Sequence, residues 1–136
     1  QSMEYTLSDQ NPFPGHWFCP LIDARRMEVY TAFFNESKEM WGEVSAEIIG
    51  NEFIAKLPQD RALVFFGDGM IKSRPLLESV NHAVFVNGFN PSATGMNSLA
   101  QNAYKRGVFE DVNHFEPYYL KDFFTTEKPN ADSNRK

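Results

Sequence analysis

IDARRMEVYTAFF, Ile22 to Phe34, is the stretch on which the fold turns. Its second part, EVYTAFF (28–34), is β-branched and aromatic with almost no helix former, the composition of a strand. Just upstream, WFCPLID (17–23) is another apolar run, and Pro20 inside it marks an edge strand or an interrupted one. Only ARRM separates the two runs, so they pair most simply as an antiparallel hairpin. The same short connection crowds Asp23, Arg25, Arg26 and Glu28 into six positions. Two acids and two guanidiniums that close can form a catalytic cluster or a charged turn.

Working outward, NESKEMWG reads as a loop, and GEVSAEII (42–49) alternates Val44, Ala46 and Ile48 against Glu43, Ser45 and Glu47. That pattern predicts a strand with the apolar set inward and one wet face. The period then changes. Asn51 is a fitting N-cap for a short helix, EFIAKL, stopped by Pro58. ALVFF (62–66) is short and continuously apolar, as in a central strand covered on both faces. After the turn GDG, MIKSRPLLES forms a second helix, with Pro75 near its start or kinking it. AVFV (83–86) is another covered strand. Ser92 then caps a third helix whose apolar residues Met96, Leu99, Ala100, Ala103 and Tyr104 fall on one stripe. Lys105 and Arg106 fill its last turn and Gly107 ends it.

The succession β-β-β-α-β-α-β-α is that of the ribonuclease-H-like α/β fold, the half-unit of actin-like ATPases. Right-handed crossovers give a mixed five-stranded sheet with helices packed on it. The expected domain spans 17–124. Residues 1–16, polar and turn-rich, read as a connector from a missing N-terminal domain, and 125–136 as a disordered tail. The segment 108–124 has too many aromatics for a free tail and is expected to pack back on the domain.

At 136 residues the chain is one domain's worth, and 42% apolar residues with thirteen Phe can fill a single core. A net charge of −5 and a pI near 5.1 argue against its gripping a nucleic-acid backbone unaided. The lone Cys19 excludes an internal disulfide and suits a reducing compartment. No apolar run reaches the roughly 20 residues of a membrane helix, and the sequence shows no charged n-region followed by an apolar h-region, so no secretory signal is expected. A soluble, cytoplasmic protein without membrane contact is expected.

Each candidate site has a bland alternative. Asp23 at a strand end could bind a metal, but that needs further carboxylates on neighbouring strands. A phosphate-cradling hairpin wants glycine, and Arg25 and Arg26 stand there instead. An arginine could hold a phosphate through its fork, yet an Asp–Arg pair locking the turn is the commoner outcome. Gly67, Asp68 and Gly69 resemble a vestigial nucleotide turn, or simply a βα turn that requires positive φ. His16, His82 and His114 lack metal-ligand spacing. Cys19, in an apolar run, reads as a buried inert thiol. Tyr118, Tyr119 and Lys121 mark either a partner surface or core packing.

IDARRMEVYTAFF, FFGDG (65–69), NPSATGMNSLA (90–100) and FEPYYLKDF (115–123), in this order and spacing, resemble the C-terminal half of the TsaB (YeaZ) family. The resemblance runs from about Cys19 to Phe123. It implies a non-catalytic accessory subunit of bacterial tRNA threonylcarbamoyladenosine synthesis, with no catalytic residue, metal or cofactor of its own. Its implied partners are the kinase-fold transferase TsaD, which modifies adenosine 37, and the ATPase TsaE. Homodimerisation would run through the missing N-terminal half, and tRNA would be met only through the complex. The family has also carried a glycoprotease label. The alternative is therefore an enzyme of the same superfold, a peptidase or small-molecule kinase, with its site between the two halves.

Overall fold

The structure, a computed structural model, describes residues 13–89 and 91–121. The expected tail at 125–136 and most of the expected connector at 1–16 therefore lie outside the described residues. A five-stranded mixed sheet runs in the order β3-β2-β1-β4-β5, built from β1 (Trp17–Asp23), β2 (Glu28–Phe34), β3 (Met40–Ile48), β4 (Leu63–Phe66) and β5 (Ala83–Phe85). The first three strands form an antiparallel meander. β4 and β5 are added in parallel, each after a crossover carrying a helix, α1 (Asn51–Lys56) and α2 (Met70–Leu77).

Pro20 lies in a central strand rather than at an edge, and β1 is interrupted to admit it. Antiparallel pairing with β2 holds at Phe18↔Phe34, lapses over Cys19 and Pro20, and resumes at Leu21↔Thr31. A residue without an N–H cannot complete that stretch of ladder. β4 is buried along its whole length, so its unbroken LVFF needs no polar alternation.

Two cores follow from the two faces of the sheet. On one, Cys19, Leu21, Val29 and Phe65 meet Phe53 of α1 and Met70 and Leu77 of α2. On the other, Phe18, Ala32, Phe34, Val64 and Phe66 gather Phe13, Val84, Val86 and Phe89.

Several expectations need correction, among them AVFV, which forms a half-buried edge strand, Ala83–Phe85, rather than a covered one. Strand β3 begins at Met40, inside the expected loop, and its apolar set does not turn inward as a whole: Val44 and Ile48 are exposed while Ser45, Ala46 and Glu47 are half-buried. The cause lies on the helix side of this edge, where Trp41 packs edge-on against Phe33 and Glu47 pairs with Lys56 of α1. Val44, Ala46 and Ile48 therefore turn to the opposite face. A bulge between Thr31 and Phe33 shifts the register on the way. Next, Gly50 rather than Asn51 caps α1. Ser92 caps a 3-10 turn (Ala93–Met96), accepting from the Thr94 N–H at 3.3 Å, and α3 (Asn97–Lys105) continues from it. No residue of α3 is buried, and Met96 and Tyr104 stand open. Finally, residues 108–119 are exposed rather than packed inward.

Gly67 sets the junction between β4 and α2. It sits at φ +104, and a Cβ there would lie 2.3 Å from the Leu21 carbonyl oxygen of β1. That oxygen accepts the Gly69 N–H at 2.9 Å. Gly67→Ala is expected to lower unfolding free energy by about 3 kcal/mol, combining backbone strain with overlap against main chain. A urea midpoint unchanged from the native chain would refute this reading of the junction.

Candidate functional site

The hairpin, the glycine turn and the segment at Lys121 converge on one spot. Asp68, at the tip of the GDG turn, accepts the Asp23 N–H at 2.9 Å. Asp23 in turn uses Oδ1 twice: it accepts the Arg25 N–H at 2.7 Å, closing the hairpin, and it takes an ammonium hydrogen bond from Lys72 of α2. Lys72 also donates to the Glu28 carbonyl oxygen at 2.7 Å. The Glu28 carboxylate receives Lys121 through both oxygens, at 2.7 and 2.6 Å. Five charged side chains thus bind β1, β2, the βα turn, α2 and the C-terminal segment together.

The question raised by the charged connection divides by sign. Both acids are occupied. The Lys72 ammonium, followed by the Arg25 N–H, holds the Asp23 carboxyl below its ordinary value of 3.8. The arginines are different. Arg25 and Arg26 sit at φ 69 and 49, two successive side chains in the left-handed region. Both are exposed, and among the described residues neither guanidinium makes a hydrogen bond or ion pair. Arg25 contributes only a minor through-space effect on Asp23. The Asp–Arg lock is therefore made by the Arg25 backbone, not by its side chain.

The GDG turn is accounted for by packing. Gly67 and Gly69 let the turn lie on β1, where a Cβ at Gly69 would come 3.0 Å from both the Leu21 oxygen and Val29 Cγ1. The Gly69 and Met70 N–H groups, the kind that would face a phosphate, donate instead to Leu21 and Gly67 carbonyls. Ser73, fully buried, returns its hydroxyl to the Gly69 oxygen at 2.7 Å.

Cys19 is buried completely. Desolvation pushes its thiol up to about 12 against the opposing contact with the Thr31 hydroxyl at 3.3 Å, so it stays protonated and inert. His16 contacts the Pro14 carbonyl, and His114 pairs with Asp111 on the surface. Among the described residues, no three His, Cys, Asp or Glu side chains stand together as a metal-binding group. No helix among them is long and apolar enough to cross a membrane. Tyr118 and Tyr119 are exposed, and Lys121 ties their segment to the hairpin.

Lys72 is the member that sequence reasoning missed. A cation in the first turn of a helix opposes the dipole, and α2 has no acid there to offset it. That violation was the available signal.

Two outcomes test this assignment. Replacing Arg25 by Asn and Arg26 by Gly, residues that tolerate positive φ, is expected to raise unfolding free energy by about 1 kcal/mol. A lowered melting temperature would show the arginines to be structural. Lys72→Met should destabilise the chain at neutral pH. Because the folded Asp23 pKa is depressed, its contribution exists above 3.8 and is lost as pH falls through the lower folded value. The stability gap between native and variant should therefore narrow below pH 3.8 in urea titrations. A gap of constant size would place the role of Lys72 elsewhere.

No protein-family model and no curated protein matches the sequence. Solved structures do. The chain is similar to an uncharacterized protein with similarity to peptidase YeaZ from Pseudomonas aeruginosa, at 20% identity and a TM-score of 0.63, over 87% of this chain and 54% of that one. It is also similar to YeaZ from Pseudomonas aeruginosa, at 19% identity and a TM-score of 0.57, over 85% of this chain and 54% of that one. The chain spans about half the length of each. It has the ribonuclease-H-like, actin-like fold that these YeaZ structures share.

Proposed function

We propose that this chain is the C-terminal half of a TsaB-type protein and acts as a non-catalytic scaffold in threonylcarbamoylation of tRNA adenosine 37. In this reading it is cytoplasmic, needs no cofactor, and supports a TsaD-like transferase together with a TsaE-like ATPase. The observation that carries the reading is the fate of the hairpin acids. Asp23 and Glu28, the carboxylates best placed for chemistry, are each held by a lysine from a distant part of the chain. The motif order from IDARRMEVYTAFF to FEPYYLKDF and the shared YeaZ fold support it.

The enzymatic alternative follows from the word peptidase attached to one of the similar structures. A peptidase needs a nucleophile or an activated water. Cys19 is protonated and sealed, and Asp23 is neutralised as a base by Lys72. In this reading, a site between this domain and another would draw its nucleophile from residues other than Cys19 and Asp23.

Reconstitution decides between them. The complete protein containing this chain is combined with TsaD, TsaE, tRNA and threonylcarbamoyl-adenylate, and adenosine 37 modification is measured by mass spectrometry of nucleosides. Modification is expected to need the protein and to survive Asp23→Asn once folding has been checked. Equal modification without the protein would overturn the scaffold reading, and peptide hydrolysis abolished by Asp23→Asn would favour the alternative.

A further inference from the structure

We infer that the tip of the β1–β2 hairpin is a docking site for an acidic, apolar segment of a protein partner. Arg25 and Arg26 would receive its carboxylates, and Met27, Ile22 and Ile48 would receive its apolar side chains. The inference deepens the scaffold reading by naming the chemistry of a partner, and its test does not use the modification assay, so either can fail alone.

The backbone supplies the first argument. Two consecutive positions at φ 69 and 49 are where a hairpin places Asn and Gly. This chain places two arginines there and accepts the strain of both. Such a departure from local preference points to a use for the side chains.

The second argument is the distribution of charge. Asp23 and Glu28 are next to the arginines in sequence, and either could have paired with them. Instead Lys72 takes Asp23 from 49 positions away, and Lys121 takes Glu28 from 93. The local carboxylates are satisfied, and the guanidinium forks stay without acceptors among the described residues. The proposal gives them a partner's carboxylates as their complement.

The third argument is the surrounding surface. Glu28 pairs with Ile48, Ile22 with Tyr30, and Tyr30 with Ala46, which by strand alternation puts Ile22, Tyr30 and Ile48 on one face. Ile48 is 70% exposed, Ile22 39% and Met27 37%. Met27 stands at the turn itself, next to Arg26 in sequence, its carbonyl accepting the Ile49 N–H at 2.9 Å. Apolar residues flanked by arginine forks are the anatomy of a protein-interface anchor.

Other anions fit less well. A polyanion such as RNA meets a chain of net charge −5. A carboxylate needs only the arginine fork.

The test is a titration of the isotope-labelled chain, followed by amide NMR, with an acetylated and amidated peptide of alternating leucine and aspartate. Its leucine–asparagine counterpart, inorganic pyrophosphate and tRNA serve as the other arms. Saturable shifts at residues 22, 25–27 and 48 are expected with the acidic peptide alone. Binding should be about tenfold weaker for the Arg25→Asn, Arg26→Gly variant. Because that variant suits the backbone better than the native pair, lost binding could not be blamed on lost folding. Undiminished binding by the variant, shifts elsewhere or no binding would overturn the inference, as would shifts produced by pyrophosphate or tRNA instead.

Discussion

The absence of a side chain at Gly67 is the constraint from which the rest of this site follows. With the Leu21 carbonyl oxygen lying 2.3 Å from where a Cβ would be, only glycine lets the β4–α2 turn rest on β1. That contact brings Asp68 onto the Asp23 N–H and points the first turn of α2 at the hairpin. Lys72 then reaches both the Asp23 carboxylate and the Glu28 carbonyl. A backbone approach, not an ion pair, is the primary event; the ions arrange themselves on it. This ordering matches the energetics, since half-exposed ion pairs contribute little by themselves whereas a main-chain overlap cannot be relaxed by moving a flexible end.

The same geometry explains why a turn that looks like a nucleotide turn offers little to a nucleotide. Glycines serve phosphate binding by exposing N–H groups in a row. Here the glycines serve close approach, and the Gly69 N–H is turned into β1 to meet Leu21. One sequence signature supports two physical uses, and the choice depends on what lies beneath the turn. Only the parallel register of β1 with β4, Pro20 opposite Phe66, determines that.

Much of the fold was legible because it rests on local signals. EVYTAFF could be little but a strand, LVFF is buried on both faces as its unbroken apolarity required, and Gly107 ends α3 at φ 67. The failures lie where a distant element outvoted the local pattern. β3 alternates cleanly, but alternation fixes only that two faces differ, not which one meets the helices. Trp41 and the Glu47–Lys56 pair decided it. The aromatic segment after α3 misled for a similar reason: composition favoured burial, yet its recorded anchor to the hairpin is Lys121 on Glu28. The candidate site was half legible. Its acids and arginines were visible in six positions, but their lysine partners stand 49 and 93 positions away, beyond any local pattern.

The chain has two kinds of left-handed position in this site, and the contrast between them separates architecture from function. At Gly67 the residue obeys its backbone: positive φ, no room for a side chain, glycine. Nothing beyond packing is required to explain it. At Arg25 and Arg26 the residues disobey theirs, in an open turn where Asn or Gly would fit without strain. Architecture cannot explain that choice, because the turn is already closed by Asp23 on the Arg25 N–H and by the Glu28 N–H on the Arg25 carbonyl. Neither bond uses a guanidinium. On the docking proposal, the conformational cost of Arg25 and Arg26 is offset by the partner carboxylates that the two guanidiniums would meet.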